Sequence, residues 1–124
     1  MSLVIQIHEN QTAFSPRDRV TGEVSWQVET PPRSVELRLV WGTSGRGNRD
    51  FCIVETIPFS NPQSTETRSF SFTLPEGPYS FTGKLITLTW GLELAIEPGG
   101  QFIGQEITVA PGGREVVLPQ IAKK

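Results

Sequence analysis

Apolar residues recur at every second position along most of the chain, in runs separated by Pro, Gly, Asn and Ser. That period belongs to half-buried β-strands, and no stretch has the spacing of an amphipathic helix of useful length. Leu3, Ile5 and Ile7 alternate with Val4, Gln6 and His8 in a first strand, and a turn-like stretch over residues 10–16 follows. Val20, Val24, Trp26 and Val28 share one face of a second strand, where Gly22 marks a bulge or the close approach of a neighbour. Pro31 and Pro32 end it, because neither can donate to a central ladder. Val35, Leu37, Leu39 and Trp41 define a third strand, residues 42–50 read as a polar glycine-rich loop, and 51–57 as a mixed strand. Phe70, Phe72 and Leu74 mark the inward face of the next. The longest alternate row runs Ile86, Leu88, Trp90, Leu92, Leu94, Ile96 and predicts the spine of the core. Ile103, Ile107 and Val109 make one more strand, and 116–118 a short edge.

Seven to eight strands without a helical layer predict an all-β fold, an immunoglobulin-like antiparallel sandwich occupying residues 1–124 as one domain. A chain of this length can bury a real core without staples. The three tryptophans and seven phenylalanines belong mostly inside: burying about 200 Å² of an aromatic side chain is worth roughly 5 kcal/mol gross. Trp26 and Trp41 therefore read as core, against an alternative in which they form an exposed sugar-stacking platform of a carbohydrate-binding module.

Two segments resemble the arrestin-fold superfamily. Over residues 70–90 a strand ends at Pro75, a short link leads to Pro78, Ser80, Phe81 and Gly83, and a further strand runs to Trp90. Over residues 14–24, Phe14, Pro16, Asp18, Val20, Gly22 and Val24 are similar to a second family pattern, except that Arg17 stands where the family usually has glycine. The prolines remove backbone donors and force the strand out of its sheet, so these residues also have a purely architectural reading. The resemblance implies an arrestin-like, single-domain bacterial-type member. Family members, animal arrestins and bacterial sporulation-control proteins among them, usually carry two such sandwiches in tandem and act as adaptors. What carries over is the fold and the general idea of binding; no phosphate-sensing residue does.

Charge and chemistry narrow the function classes. A net charge of -2 gives no field to gather nucleic acid or an anionic membrane. Cys52 is the only cysteine, which excludes an intrachain disulfide and any multi-cysteine metal site. Residues 1–10 lack the features of a secretory signal, and no apolar run approaches the roughly 20 residues of a membrane helix, so a cytoplasmic address is expected. A nucleophilic pair would need His8 and Cys52 to meet, and Glu55 and Glu93 each fall near an apolar face, where Arg38 or Arg68 would pair them. None of these sets specifies a reaction. The expectation is a non-catalytic protein-binding or scaffold module with no cofactor and no metal, and a small hydrolase ranks last.

Its contact residues are expected in the 42–50 loop, at Arg46, Asn48, Arg49 and Asp50, where guanidinium groups and glycine amides would meet an acidic or phosphorylated partner. A homodimer through a sheet edge is the other expectation, with residues 21–28 or 116–118 as the edge.

Overall fold

The computed structural model describes residues 2–45, 48–83, 85–113 and 116–117. Among the described residues ten strands follow one another: β1 (Ser2–Ile7), β2 (Ala13–Phe14), β3 (Arg19–Gln27), β4 (Ser34–Gly45), β5 (Asn48–Phe59), β6 (Thr65–Thr73), β7 (Phe81–Thr82), β8 (Thr87–Glu97), β9 (Gln101–Val109) and β10 (Val116–Val117). Seven are long and three have two residues, which is how the expected seven to eight become ten. A small sheet has the order β1-β3-β6, and a seven-stranded sheet runs β10-β7-β8-β4-β5, with β9 pairing both β8 and β2. All long strands pair antiparallel, while β2 with β9 and β10 with β7 are parallel. The fold is an all-β sandwich.

Alternation fixes which side chains meet between the sheets. Val20, Val24 and Trp26 of β3 face Val35, Leu37 and Leu39 of β4 and Leu88, Trp90, Leu92 and Leu94 of β8 in one buried cluster. Phe70 and Phe72 of β6 join it, with ring centroids 6.0 Å apart. Leu3 and Ile5 pack against it from the β1 side. Trp26 donates its indole N–H to the Gln63 carbonyl at 2.7 Å, so its polar atom is satisfied at the core margin.

The row expected to start at Ile86 begins one step later. Ile86 is 49% exposed: β8 opens at Thr87, and the Ile86 carbonyl lies outside it, accepting from Gly83 N–H at 2.8 Å. The second strand is not an edge over Gly22–Gln27, where β3 lies between β1 and β6; Arg19, Val20 and Thr21 pair with β6. Gly22 holds the close approach anticipated for it, since a β-carbon there would lie 2.2 Å from the Gln6 carbonyl oxygen. The bulge is elsewhere, where the β4–β5 register shifts between Leu39 and Val40 and leaves Val54 as the extra residue.

The crossover between the sheets shows why its residues recur together. Trp90, wholly buried, donates Nε1–H to the Pro78 carbonyl at 2.8 Å. Ser80 is buried; its N–H donates to the Val109 carbonyl at 2.6 Å and its hydroxyl oxygen accepts from Val109 N–H at 2.9 Å. Tyr79 is 41% exposed, and Ser80 is what anchors the link. Ser80→Ala should lower unfolding free energy by about 1–3 kcal/mol, because the buried Val109 N–H loses its acceptor. Urea denaturation checks this, and a change below 0.5 kcal/mol would contradict it.

Arg17 adopts a left-handed backbone with φ 72°. A β-carbon makes that conformation costly by about 1–2 kcal/mol, and glycine avoids it. Its exposed ion pair with Glu76 at 3.5 Å compensates little. Arg17→Gly should therefore raise stability by about 0.5–1 kcal/mol after allowing for the extra freedom of glycine in the unfolded chain. Thermal melting of the two proteins is the measurement.

Candidate interaction surface

Residues 42–45 and 48–50 are strand, where a loop was expected. Gly42 pairs with Phe51, Thr43 with Asp50, Ser44 with Arg49 and Gly45 with Asn48, so β4 and β5 continue until only residues 46 and 47 separate them. Pairing of Thr43 and Ser44 with β8 on the other side supports strand geometry in a sequence rich in glycine. The backbone groups of residues 42–44, which were to help cradle an anion, are thus committed to ladders on both sides. Arg49 and Asp50, both exposed on β5, are successive strand residues and point to opposite faces. Arg46 and the side chain of Asn48 lie outside the described part of the structure.

The hairpin end acquires a neighbour that the sequence pattern had placed in the core. A β-carbon on Gly45 would lie 2.0 Å from the Leu85 carbonyl oxygen and 3.1 Å from the Ile86 α-carbon. The backbone of residues 85–86 therefore rests directly on the hairpin, and only glycine leaves it room. Leu85 and Ile86 remain 57% and 49% exposed. Two apolar side chains are thereby held beside the end of a hairpin that carries Arg49 and Asp50.

The catalytic alternatives separate in space. His8 follows β1 and its Nδ1 lies 2.9 Å from Thr21 Oγ1 on β3, whereas Cys52 is half-buried on β5, opposite Trp41 in the other sheet. Glu93 meets Arg38 at 3.8 Å, and the Arg38 Nε–H donates to Glu36 at 2.6 Å. Glu55 is exposed on β5 rather than near the core. Arg68 pairs with neither of those carboxylates: its Nε–H donates to Glu66 at 2.6 Å, Nη2–H donates to the Ser60 carbonyl at 2.7 Å, and the guanidinium lies 5.9 Å from the Phe59 ring centroid. The tryptophan platform is lost as well, since Trp26 is buried and Trp41 packs half-buried against the core, opposite Trp90 in register.

Glu66 is held below the usual carboxylate range by the hydrogen bond from Arg68 and a second from Gln63 N–H at 2.8 Å. A depressed folded-state pKa contributes stability above the unfolded value, and that contribution disappears as pH falls through the lower folded value. Glu66→Gln should therefore flatten part of the loss of stability below about pH 4.5. Denaturation midpoints for both proteins across the acid range test the sign.

The order of strands, the proline-flanked crossover and the core spine define an arrestin-like β-sandwich. Comparison with protein-family models gives no match, and comparison with curated protein sequences gives none. Among solved structures the chain is similar to Spo0M, the sporulation control protein from Bacillus subtilis, at 20% identity and a TM-score of 0.60. The match covers 88% of this chain and 49% of Spo0M, so the chain spans about half the length of that protein. Among the described residues no helix is long and apolar enough to cross a membrane.

Proposed function

We propose that this chain is a non-catalytic protein-binding or scaffold module of the cytoplasm, making contact through the hairpin end of the sandwich. The carrying observation is the pair Leu85 and Ile86, more than half and nearly half exposed, fixed by backbone packing on Gly45 beside Arg49 and Asp50. Rigid apolar anchors next to charge are what a protein interface uses at its centre and rim. Family members that act as adaptors on this fold support the reading, as does the separation of His8 from Cys52.

The test is chemical cross-linking in extract of the source cells, with captured proteins identified by mass spectrometry. A Leu85→Asp, Ile86→Asp double variant should lose the specific partners captured by the wild type while keeping its melting temperature. An Arg49→Ala variant should weaken capture and make it less salt-dependent. Capture of the same proteins by all three chains, or of none by the wild type, would reject the reading.

A further inference from the structure

The chain bends sharply between β1 and β2. Glu9 and Asn10 stand side by side there with φ 62° and 54°. Asparagine tolerates this left-handed region, but for a residue such as Glu9 it is disfavoured by a factor of roughly 5–30. Residues 8–13 are all exposed, so no core contact depends on the bend. It is held by hydrogen bonds open to water: Gln6 Nε2–H donates to Asn10 Oδ1 at 2.6 Å, and Gln11 N–H to the His8 carbonyl at 3.2 Å. Bonds of this kind exchange for water at little net cost.

The two sides of the bend are fixed differently. Beyond it, Phe14 of β2 is buried, Thr108 N–H donates to the Thr12 carbonyl at 2.8 Å and Ala110 N–H to the Phe14 carbonyl at 3.0 Å. Before it, β1 pairs among the described residues with β3 alone, and its hold on the core is buried Ile7 with Leu3 and Ile5 packed at the margin. Without β1, residues 22–27 of β3 would be an open sheet edge. That slot is cut for one strand: Gly22 leaves room for the backbone of Gln6 and Ile7, and Leu3, Ile5 and Ile7 fill alternate positions along it. The β1 of a second copy meets the same demands in full, because it is the same sequence.

We infer that two copies of this chain exchange β1, each β1 lying on the other copy's β3 in the register that runs from Ser2 opposite Gln27 to Ile7 opposite Gly22, with residues 8–12 as the hinge. Every β1–β3 contact is kept in the exchanged dimer, so the balance is set by the hinge and by the entropy of association. Extending the hinge returns Glu9 to ordinary strand geometry, once in each copy, and short hinges under strain favour exchange for this reason. Leaving the home slot first exposes Ile7, so exchange is slow, and its extent rises with concentration.

Reduced wild-type chain, warmed below its melting temperature at concentrations from micromolar to millimolar and then resolved by size exclusion, should yield a dimer whose share grows with concentration. Glu9→Gly, which accepts the left-handed bend without strain, should weaken dimerisation at least tenfold with circular dichroism retained. Val4→Cys with Ser25→Cys, in a Cys52→Ser background, reads the arrangement, because positions 4 and 25 are opposed on β1 and β3. Opposed residues in an antiparallel pair have α-carbons about 4.5–5.5 Å apart, within the range a disulfide spans. Oxidation should join these cysteines within one chain in the monomer and between chains in the dimer, which non-reducing electrophoresis separates. A chain that stays monomeric throughout, a dimer linked only within its chains, or one indifferent to Glu9→Gly would each overturn the inference. The Leu85→Asp, Ile86→Asp variant separates this from the hairpin-end reading: it should exchange β1 normally while losing its partners.

Discussion

Trp90→Ala should unfold most of this domain's margin, costing about 3–5 kcal/mol from the lost side chain and the cavity it leaves. Trp90 is wholly buried at the middle of β8, opposite Trp41 on β4 and Ile107 on β9. Its removal also strands the Pro78 carbonyl, which accepts the indole N–H at 2.8 Å. Against a typical total of about 5–15 kcal/mol, that is a large fraction. The melting temperature should fall by roughly 10–20 °C. Trp90→Phe keeps much of the volume but not the donor, so it should lose about half as much. Guanidinium denaturation of the three proteins orders them, and equal losses for Ala and Phe would show that the hydrogen bond, not the volume, dominates.

Gly22→Ala is expected to be nearly as damaging although it adds one carbon. The β-carbon would lie 2.2 Å from the Gln6 carbonyl oxygen and 2.9 Å from the Ile7 α-carbon, and both obstacles are backbone. No rotamer relieves that clash, so β1 must move away from β3, drawing Leu3 and Ile5 from the core. A cost of about 3 kcal/mol follows, at the upper end for overpacking. Gly104→Ala on β9 is the control: the nearest atom to its β-carbon is the Leu92 carbonyl oxygen at 3.6 Å, an ordinary contact. That change should be neutral or stabilise by up to about 0.5 kcal/mol. Amide hydrogen exchange should show faster exchange confined to β1 and its partner strand in Gly22→Ala, and a uniform change would contradict the local cause.

The long strands were legible because one face of each is buried and the other wet, which writes a period of two into β3, β4, β6 and β8. That signal weakens where burial weakens. On β5 both faces are partly exposed and the Val54 bulge shifts the alternation, so residues 48–50 read as loop and the strand's position as a sheet edge left no mark. Ile86 fits the row of β8 by spacing alone, but it precedes the start of that strand and lies on the surface. The proposed contact surface was half visible for that reason: Arg49 and Asp50 are exposed, though on a strand rather than in the expected loop, while Leu85 and Ile86 were hidden in a hydrophobic pattern. Gly45 was the available clue, since a glycine inside a strand marks close approach of another backbone. Arg17 was legible in a different way: the site where the family pattern has glycine is the site with positive φ.

The crossover that Ser80 anchors looks like a surface link, with two short ladder residues and several prolines. Yet Trp90 of β8 grips its carbonyl and Val109 of β9 grips its amide and hydroxyl, and β8 and β9 are themselves zipped together. Such a segment cannot fray on its own: freeing Ser80 requires neighbouring strands of the core to part. Residues 78–80 therefore belong to the last cooperative unit to open, and a protease that samples loops will find this one closed until the whole sandwich gives way.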